Sequence, residues 1–262
     1  MNLKDLNAQL SGELFFDDLH KSIYATDASV YQQLPAAVTI PKTVEDIKIL
    51  IDYAVKNKSS LIPRAAGTSL AGQCVGDGIV VDTGRYFNRI LNIDVENKTA
   101  IVEPGVIRDD LNRDLKIYGL FFGPNTSTSN RCMLGGMVGN NSSGTTSIQY
   151  GTTRDKIISL KCILADGSEA HFKSESIESC EAKAEGSCLK AKIYQYILKL
   201  LKDKNLRSHI SRAYPKKEIH RRNTGYAIDD LLFHFEETRK VNLARLLSGS
   251  EGTLTFVTEI EL

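Results

Sequence analysis

Residues 124–147 read PNTSTSNRCMLGGMVGNNSSGTTS. Seventeen of these 24 residues are Gly, Ser, Thr or Asn, and Arg131 carries the only charge. Solvated loops use Lys, Glu and Asp, whereas cores use Leu, Ile and Val. A long stretch that is polar, uncharged and small does neither job well. It suits a wall where backbone N–H groups and hydroxyls approach a large polar ligand closely. A flexible Ser/Thr/Asn-rich loop is the alternative, although the run Gly135-Gly136-Met137-Val138-Gly139 inside it reads as ordered.

Upstream, Pro63-Arg64-Ala65-Ala66-Gly67-Thr68-Ser69-Leu70-Ala71-Gly72-Gln73 follows the short apolar strand Leu61-Ile62, where a phosphate loop belongs. Gly67 and Gly72 have the spacing of a Walker A loop, but Gln73 and Cys74 replace its Lys and Ser/Thr. Without that Lys nothing neutralises a γ-phosphate, so an NTPase is disfavoured. No G-x-G-x-x-G occurs, so a Rossmann nicotinamide site is not supported. Backbone amides with the Thr68 and Ser69 hydroxyls can still receive a pyrophosphate; a tight structural turn is an equal alternative.

The flanking sequence reads as α+β. The segment AAVTI between Pro35 and Pro41 is a strand. Val44, Ile47, Leu50, Ile51, Ala54 and Val55 mark an amphipathic helix with Thr43 or Lys42 near its cap. Residues 78–82 and 99–103 are further strands, and 106–118 is a helix ending at Gly119. Residues 157–165 and 168–172 flank Asp166-Gly167, a hairpin signal. A helix covers 189–201, and GTLTFVTEIEL at the end alternates as a strand. Leu3, Leu6 and Leu10 have the spacing of a lead-in helix within residues 1–23. The abrupt end at Leu262 reads as a domain boundary.

Of the 262 residues, 42% are hydrophobic and 25% charged, which is ordinary globular usage. No apolar run approaches the ~20 residues of a membrane helix, and the N-terminus lacks a signal core. The net charge of +1 exerts no global pull toward nucleic acid or membranes. Five cysteines without a C-x-x-C pair argue against a disulfide scaffold or zinc ribbon, so no metal is expected and the setting is reducing and cytoplasmic. Residues 199–222 hold nine Lys/Arg and two Asp/Glu. That is a solvated face or, alternatively, a docking patch for an acidic partner. Asp109, Asp110 and Asp114 read as a solvated helix face. His20, His171, His209, His220 and His234 read as surface or cap residues.

Taken in order, PRAAGTSLAGQ, FFGPNTSTSNRCMLGGMVGNNSSG, YGTTRDKIISLKCILADG, RNTGYAIDDLL and SGSEGTLTFVTEIEL resemble the FAD-binding domain of the FAD-linked oxidase superfamily, the vanillyl-alcohol oxidase and p-cresol methylhydroxylase type. The branch most similar is that of the D-lactate, glycolate and D-2-hydroxyglutarate dehydrogenases, particularly long forms fused to an iron–sulfur domain. The resemblance spans about residues 24–262 and implies two interlocked α/β subdomains, 24–105 and 106–262, with FAD in the cleft between them. It implies that Arg64, Ala65, Ala66, Gly67, Thr68, Ser69, Gly72 and Gln73 hold the pyrophosphate. Pro124, Thr126, Met133, Gly135, Gly136, Asn141, Ser142 and Gly144 would line the isoalloxazine and ribityl side, with Tyr150, Gly151, Thr152 and Asp155 closing that wall. Glu251, Gly252, Thr253 and Val257 would hold the adenine or ribose end.

Ala65 and Ala66 stand where many members have Gly, so the loop must use ordinary φ there or be strained. Thr255 also stands where Gly is usual. Covalent flavin attachment in some relatives uses a His in or near the first loop; none stands there, so noncovalent FAD is expected. The implied activity is oxidation of a 2-hydroxy acid by hydride transfer to flavin N5. In the resembled family the substrate groups come from a cap domain, so no catalytic base is named and the chain alone is expected to turn over poorly. An iron–sulfur domain or another electron acceptor is the expected partner, with any membrane association made through it. The alternative reading is a non-catalytic FAD-binding subunit serving assembly or electron relay.

Overall fold

The computed structural model describes residues 2–219 and 225–262. Its first sheet holds β1 (Glu13–Phe15), β2 (Ala37–Ile40), β3 (Leu61–Arg64) and β4 (Ile79–Asp82) in the order β1-β2-β4-β3. β2, β3 and β4 run parallel, and β1 adds antiparallel to β2. Such parallel neighbours need a crossover, which α1 (Leu3–Asn7) and α2 (Asp18–Ile23) do not supply. The crossover from β2 to β3 is α3 (Val44–Asn57). Its start is fixed by a capping box, in which Thr43 accepts from the Asp46 N–H and Asp46 returns to the Thr43 N–H. Ile47, Leu50 and Ile51 on one stripe bury against Ile79 and Val81.

The N-terminal segment corrects one expectation. Residues 1–23 are not a single helix: α1 and α2 flank the strand β1. Leu3, Leu6 and Leu10 do pack on the first core. Beyond them the chain passes so close to β2 that a Cβ at Gly12 would lie 2.4 Å from the Ile40 carbonyl oxygen. The buried Asp46 carboxylate then takes the Ser11 N–H and hydroxyl, at 2.8 Å each, and orients the strand entry.

A second sheet contains β5 (Ile90–Asp94), β6 (Thr99–Val102), β7 (Ser159–Ile163) and β8 (Glu169–Phe172). A separate ribbon pairs β9 (Ser174–Ser176) with β10 (Lys240–Asn242), and β11 (Phe256–Glu261) completes the second sheet in the order β5-β6-β11-β7-β8. All of its neighbours are antiparallel. β5 and β6, which lie before residue 105, therefore belong to the second sheet, while Tyr86 and Phe87 still pack on the first core. Ile101 and Val102 pair with Glu261 and Ile260 at the far end of the chain, a non-local pairing that no local pattern announces.

The helices of this half are α4 (Arg108–Lys116), α5 (Leu134–Asn140), α6 (Ser147–Tyr150), α7 (Ile177–Lys183), α8 (Leu189–Lys202), α9 (Lys204–Ala213), α10 (Ile228–Thr238) and α11 (Leu243–Leu247). Leu111, Leu134, Met137, Leu160, Leu201, Leu231 and Ile260 form the second core. Ile163 and Phe256 belong instead to the first core, and Lys48 on α3 pairs with Glu169 on β8 at 2.7 Å. The two halves thus share buried side chains and interlock. The architecture is α+β, as the sequence indicates. No helix among the described residues is long and apolar enough to cross a membrane.

Candidate functional site

The phosphate-loop segment leaves the carboxyl end of β3. From Ala65 to Leu70 no backbone N–H has a hydrogen-bond partner among the described residues. Native chains pair nearly all such donors when they are shielded from water, so the five half-buried residues 65–69 with open N–H groups could receive an anion. The turn is made by Gly67 (φ +64°) and Gly72 (φ +72°), while Ala65 and Ala66 keep ordinary negative φ. The replacement of Gly by Ala is therefore unstrained. Thr68 also keeps its hydroxyl without a partner among the described residues.

Other side chains of this loop make contacts within it and with its neighbours. Arg64 turns back to donate to the Thr26 carbonyl at 2.8 Å and lies over the Tyr24 ring. A Cβ at Gly67 would sit 2.5 Å from its guanidinium. Arg64 thus braces the loop through one guanidinium nitrogen while lining the cleft beside it. The Ser69 hydroxyl accepts from the Ala71 and Gln73 N–H groups and donates to the Gln73 carboxamide oxygen.

The small-residue stretch folds as the opposing wall. Met133 opens α5, and the Gly135 N–H donates to the Pro104 carbonyl at 2.7 Å, so close that a Cβ there would lie 2.5 Å from Pro104. Gly144 approaches the Asn125 carbonyl so closely that a Cβ would lie 1.8 Å from its oxygen. Gly136 differs. It is exposed, and a Cβ there would meet only the Ala65 Cβ, at 3.3 Å. The smallest residue of the wall therefore faces the loop with the open N–H groups.

Sequence reasoning missed what holds this wall. Arg108 on α4 donates to the Pro124 carbonyl at 3.1 Å and the Phe122 carbonyl at 3.1 Å, while Asn112 exchanges two hydrogen bonds with Phe122. Asp109 accepts from the Ser129 hydroxyl at 2.9 Å, so it belongs to the wall's support rather than to a solvated face. Asp110 does pair outward with Arg113. The Asn125 carboxamide oxygen is buried without a donor among the described residues, a state that costs about 1–3 kcal/mol unless a ligand supplies one. The only available signal was the residue type inside an uncharged stretch.

Further along, Thr126 contacts the Cys132 sulfur at 3.3 Å. Burial drives the Cys132 thiol up, so it stays protonated. Asn141 is buried in the left-handed region (φ +49°) and accepts from the Arg154 N–H. Ser142 contributes its carbonyl to Thr153 and its hydroxyl to Asn140. Tyr150 stacks edge-on against Phe121. Gly151 turns tightly against Asp155, whose carboxylate takes the Thr152 N–H and hydroxyl and faces Arg245 at 3.5 Å. These last residues shape the wall and have little left to offer a ligand.

The third expected segment meets the first two. Gly249 and Glu251 donate their N–H groups to the carbonyls of Val138 and Gly139 at the end of α5. Gly252 packs on Pro63, its Cβ position 3.2 Å from that ring. The Gln73 carboxamide donates to Glu251 at 2.8 Å and to Asn140 at 3.2 Å. Burial pushes the Glu251 carboxyl up, against the opposing hydrogen bond from Gln73. Thr253 shares a hydrogen bond with the Tyr226 hydroxyl. Val257 does not join this group; it lies opposite Cys162 and packs on the second core.

Where the start of the phosphate loop meets Met133 lies a cleft of about 390 Å³, lined by Tyr24, Arg64, Ala65, Asp82, Arg85 and Met133 among others. Tyr24 donates to Asp82 at 2.6 Å, and burial with that carboxylate pushes its phenol well up, so it remains a neutral wall. An open N–H row, a free hydroxyl and a side-chain-free glycine on facing walls fit a large polar ligand with an anionic middle. No cluster of His, Cys, Asp and Glu suited to a metal occurs among the described residues.

The other candidates resolve differently. In the basic stretch, three of the nine cations have acidic partners: Lys202 pairs with Glu181, Arg207 with Glu236 and Lys217 with Glu237. Arg221, Arg222 and His220, with part of the RNTGY motif, lie outside the described residues. His20 stacks on Phe15 and pairs with Asp17, and His171 meets the Ser159 hydroxyl. All five cysteines are free thiols.

Residues 35–173 match the FAD binding domain family. The chain is 38% identical over 242 residues to a D-2-hydroxyglutarate dehydrogenase of Escherichia coli, covering 91% of this chain and 23% of that protein. It is 36% identical over 170 residues to glycolate oxidase subunit GlcD of Bacillus subtilis, covering 63% of this chain and 36% of the relative. Thus it spans about a quarter of the length of the D-2-hydroxyglutarate dehydrogenases it matches. Among solved structures, an alkyldihydroxyacetonephosphate synthase superposes with a TM-score of 0.65 at 18% identity, covering 99% of this chain and 42% of that one. The 6-hydroxy-D-nicotine oxidase of Arthrobacter nicotinovorans gives 0.62 at 18% identity, over 97% of this chain and 42% of that one. These likenesses carry the fold. The chain belongs to the FAD-linked oxidase family, as its FAD-binding domain.

Proposed function

We infer that this chain is the cofactor-holding module of a flavoprotein that oxidises a 2-hydroxy acid, and that it binds FAD noncovalently. The observation that carries the reading is the run of open N–H groups from Ala65 to Leu70 facing the bare Gly136. The cradle receives the pyrophosphate through backbone donors and the Thr68 hydroxyl, with no lysine needed. Asn125 offers its orphaned carboxamide oxygen to a ring N–H, and the Gly136–Ser142 segment gives a flat aromatic ring close backbone contact. The Gly249–Thr253 turn lies at the adenosine end. No histidine lies in the phosphate loop or the small-residue wall, so these walls offer no imidazole for a covalent bond.

FAD, when bound, would supply a two-electron acceptor for the hydride on the substrate Cα. The cofactor carries that chemistry, and the protein supplies position and electrostatics. The hydroxy-acid class comes from the relatives' names, since the assigned residues all hold the cofactor or its walls. Orientation of Cα–H against the ring supplies about 7–11 kcal/mol of such a barrier, and that task falls to groups beyond those assigned here. In the FAD-loaded chain, dithionite should bleach the flavin rapidly, whereas D-2-hydroxyglutarate, D-lactate and glycolate should bleach it hardly at all. Rapid bleaching by one of these acids would show that a base and a substrate site lie within the chain.

A further inference from the structure

We propose that Gln73 is a positioning residue, a latch joining the phosphate loop to the 249–253 turn that sets their spacing for a dinucleotide flavin and so favours FAD over FMN. The inference rests on the FAD reading and revises one part of it: Gln73 and Glu251 act on each other rather than on the cofactor.

A carboxamide has two N–H donors and one carbonyl. One donor of Gln73 goes to Glu251 at 2.8 Å and the other to Asn140 at 3.2 Å. The carbonyl accepts from the Ser69 hydroxyl. With both donors committed, Gln73 has none left for a phosphate. Its partners are 67 and 178 residues away in sequence, so one side chain fastens three segments: the loop after β3, the end of α5, and the turn before β11.

The turn is built to present Glu251. Glu251 itself is left-handed (φ +57°) between the left-handed Gly249 and Gly252. A non-glycine residue in that region costs about 1 kcal/mol or more, so the conformation persists only because its surroundings hold it. Its N–H is tied to the Gly139 carbonyl at 2.9 Å, and its carboxylate reaches over to Gln73. Gly252 then packs on Pro63, the residue preceding the phosphate loop. Pyrophosphate and adenosine ends of the cleft are thereby fixed at one distance. A ligand that touches both ends responds to that distance, whereas FMN, with one phosphate and no adenosine, does not.

The test compares Gln73→Leu, Glu251→Leu, the double variant and Glu251→Gln in the full chain by FAD and FMN fluorescence titration. A hydrogen bond to a carboxylate at this accessible position predicts about a fivefold loss of FAD affinity for either single change. The double variant should be no weaker than Gln73→Leu alone, because one shared contact is lost once. Glu251→Gln restores an acceptor and should recover most of the loss, and FMN affinity should change less than about twofold. Multiplying losses in the double variant, an equal loss for FMN, or wild-type FAD affinity in Gln73→Leu would overturn the latch. Amide exchange in FAD-free protein gives a second readout. Exchange at Val75 and Glu251, whose N–H groups are paired, should quicken in Gln73→Leu and Glu251→Leu, and unchanged exchange would refute the latch. A wild-type chain that failed to bind FAD would sink the cofactor reading, and the exchange measurement would still decide the latch.

Discussion

Gly136→Leu separates the cofactor site from the fold. Gly136 is exposed on α5, has no left-handed φ, and would place a Cβ 3.3 Å from the Ala65 Cβ. Carbon atoms prefer about 3.5–4.0 Å, so one methyl already presses on the phosphate loop and the other carbons of Leu must enter the gap. The helix itself gains, since Leu exceeds Gly by up to ~1 kcal/mol in propensity, and the apo melting temperature should stay within a few degrees of wild type. A pyrophosphate kept from two of the open N–H groups loses about 1.5–3 kcal/mol for each bond. The sum of about 3–6 kcal/mol is at least about a hundredfold in affinity. Fluorescence titration with FAD and a thermal melt of apo protein decide the matter. A folded Gly136→Leu chain with wild-type FAD affinity would refute the placement of the cofactor between α5 and the loop.

Three further changes test separate parts. Thr68→Val keeps shape but removes a hydroxyl with no partner among the described residues, so FAD affinity should fall by about tenfold or more with no loss of apo stability, as read by titration and melt. Gly144→Ala forces a Cβ to 1.8 Å from the Asn125 carbonyl oxygen, so it should lower the melting temperature of apo protein, opposite to the neutral Gly136 change. Asp46→Asn probes pH. Burial raises the Asp46 carboxyl, but hydrogen bonds from Ser11, Lys42 and Thr43 outweigh it and hold it below the usual 3.8. A depressed pKa means the contribution is present above pH ~3.8 and is lost as pH falls through the lower folded value. Asp46→Asn should therefore destabilise the chain at pH 7 by about 1–3 kcal/mol and flatten the acid limb of a urea-melt series.

Local chemistry made much of this molecule legible in the sequence. The capping box at Thr43, the Asp166-Gly167 turn and the alternation of the last strand are each set by neighbouring residues, and each appears in the structure. The unusual composition of residues 124–147 marked the wall because small uncharged residues have no other common use in such a run. Long-range pairing was not legible. Ile101 with Glu261 crosses 160 positions, and that contact places β6 in the second sheet. Glu13–Phe15 is too short to show a strand period, and its place was set by the close approach of Gly12 to β2. Within the site, the motif named Arg64 and Gln73, but only the fold shows that Arg64 gives one nitrogen to Thr26 and that Gln73 commits its donors to Glu251 and Asn140. Arg108 carries no motif at all; its role exists because α4 passes beneath the Phe122 and Pro124 carbonyls.

The most direct test is whether the purified chain takes up FAD reversibly. Titration should show one FAD per chain, a melting temperature that rises with FAD concentration, by about 2.7 kcal/mol of added stability at a hundred times Kd, and complete release of flavin on acid or heat denaturation. No rise at saturating FAD, or flavin that stays on the polypeptide after denaturation, would contradict a dissociable cofactor held by the Ala65–Leu70 cradle.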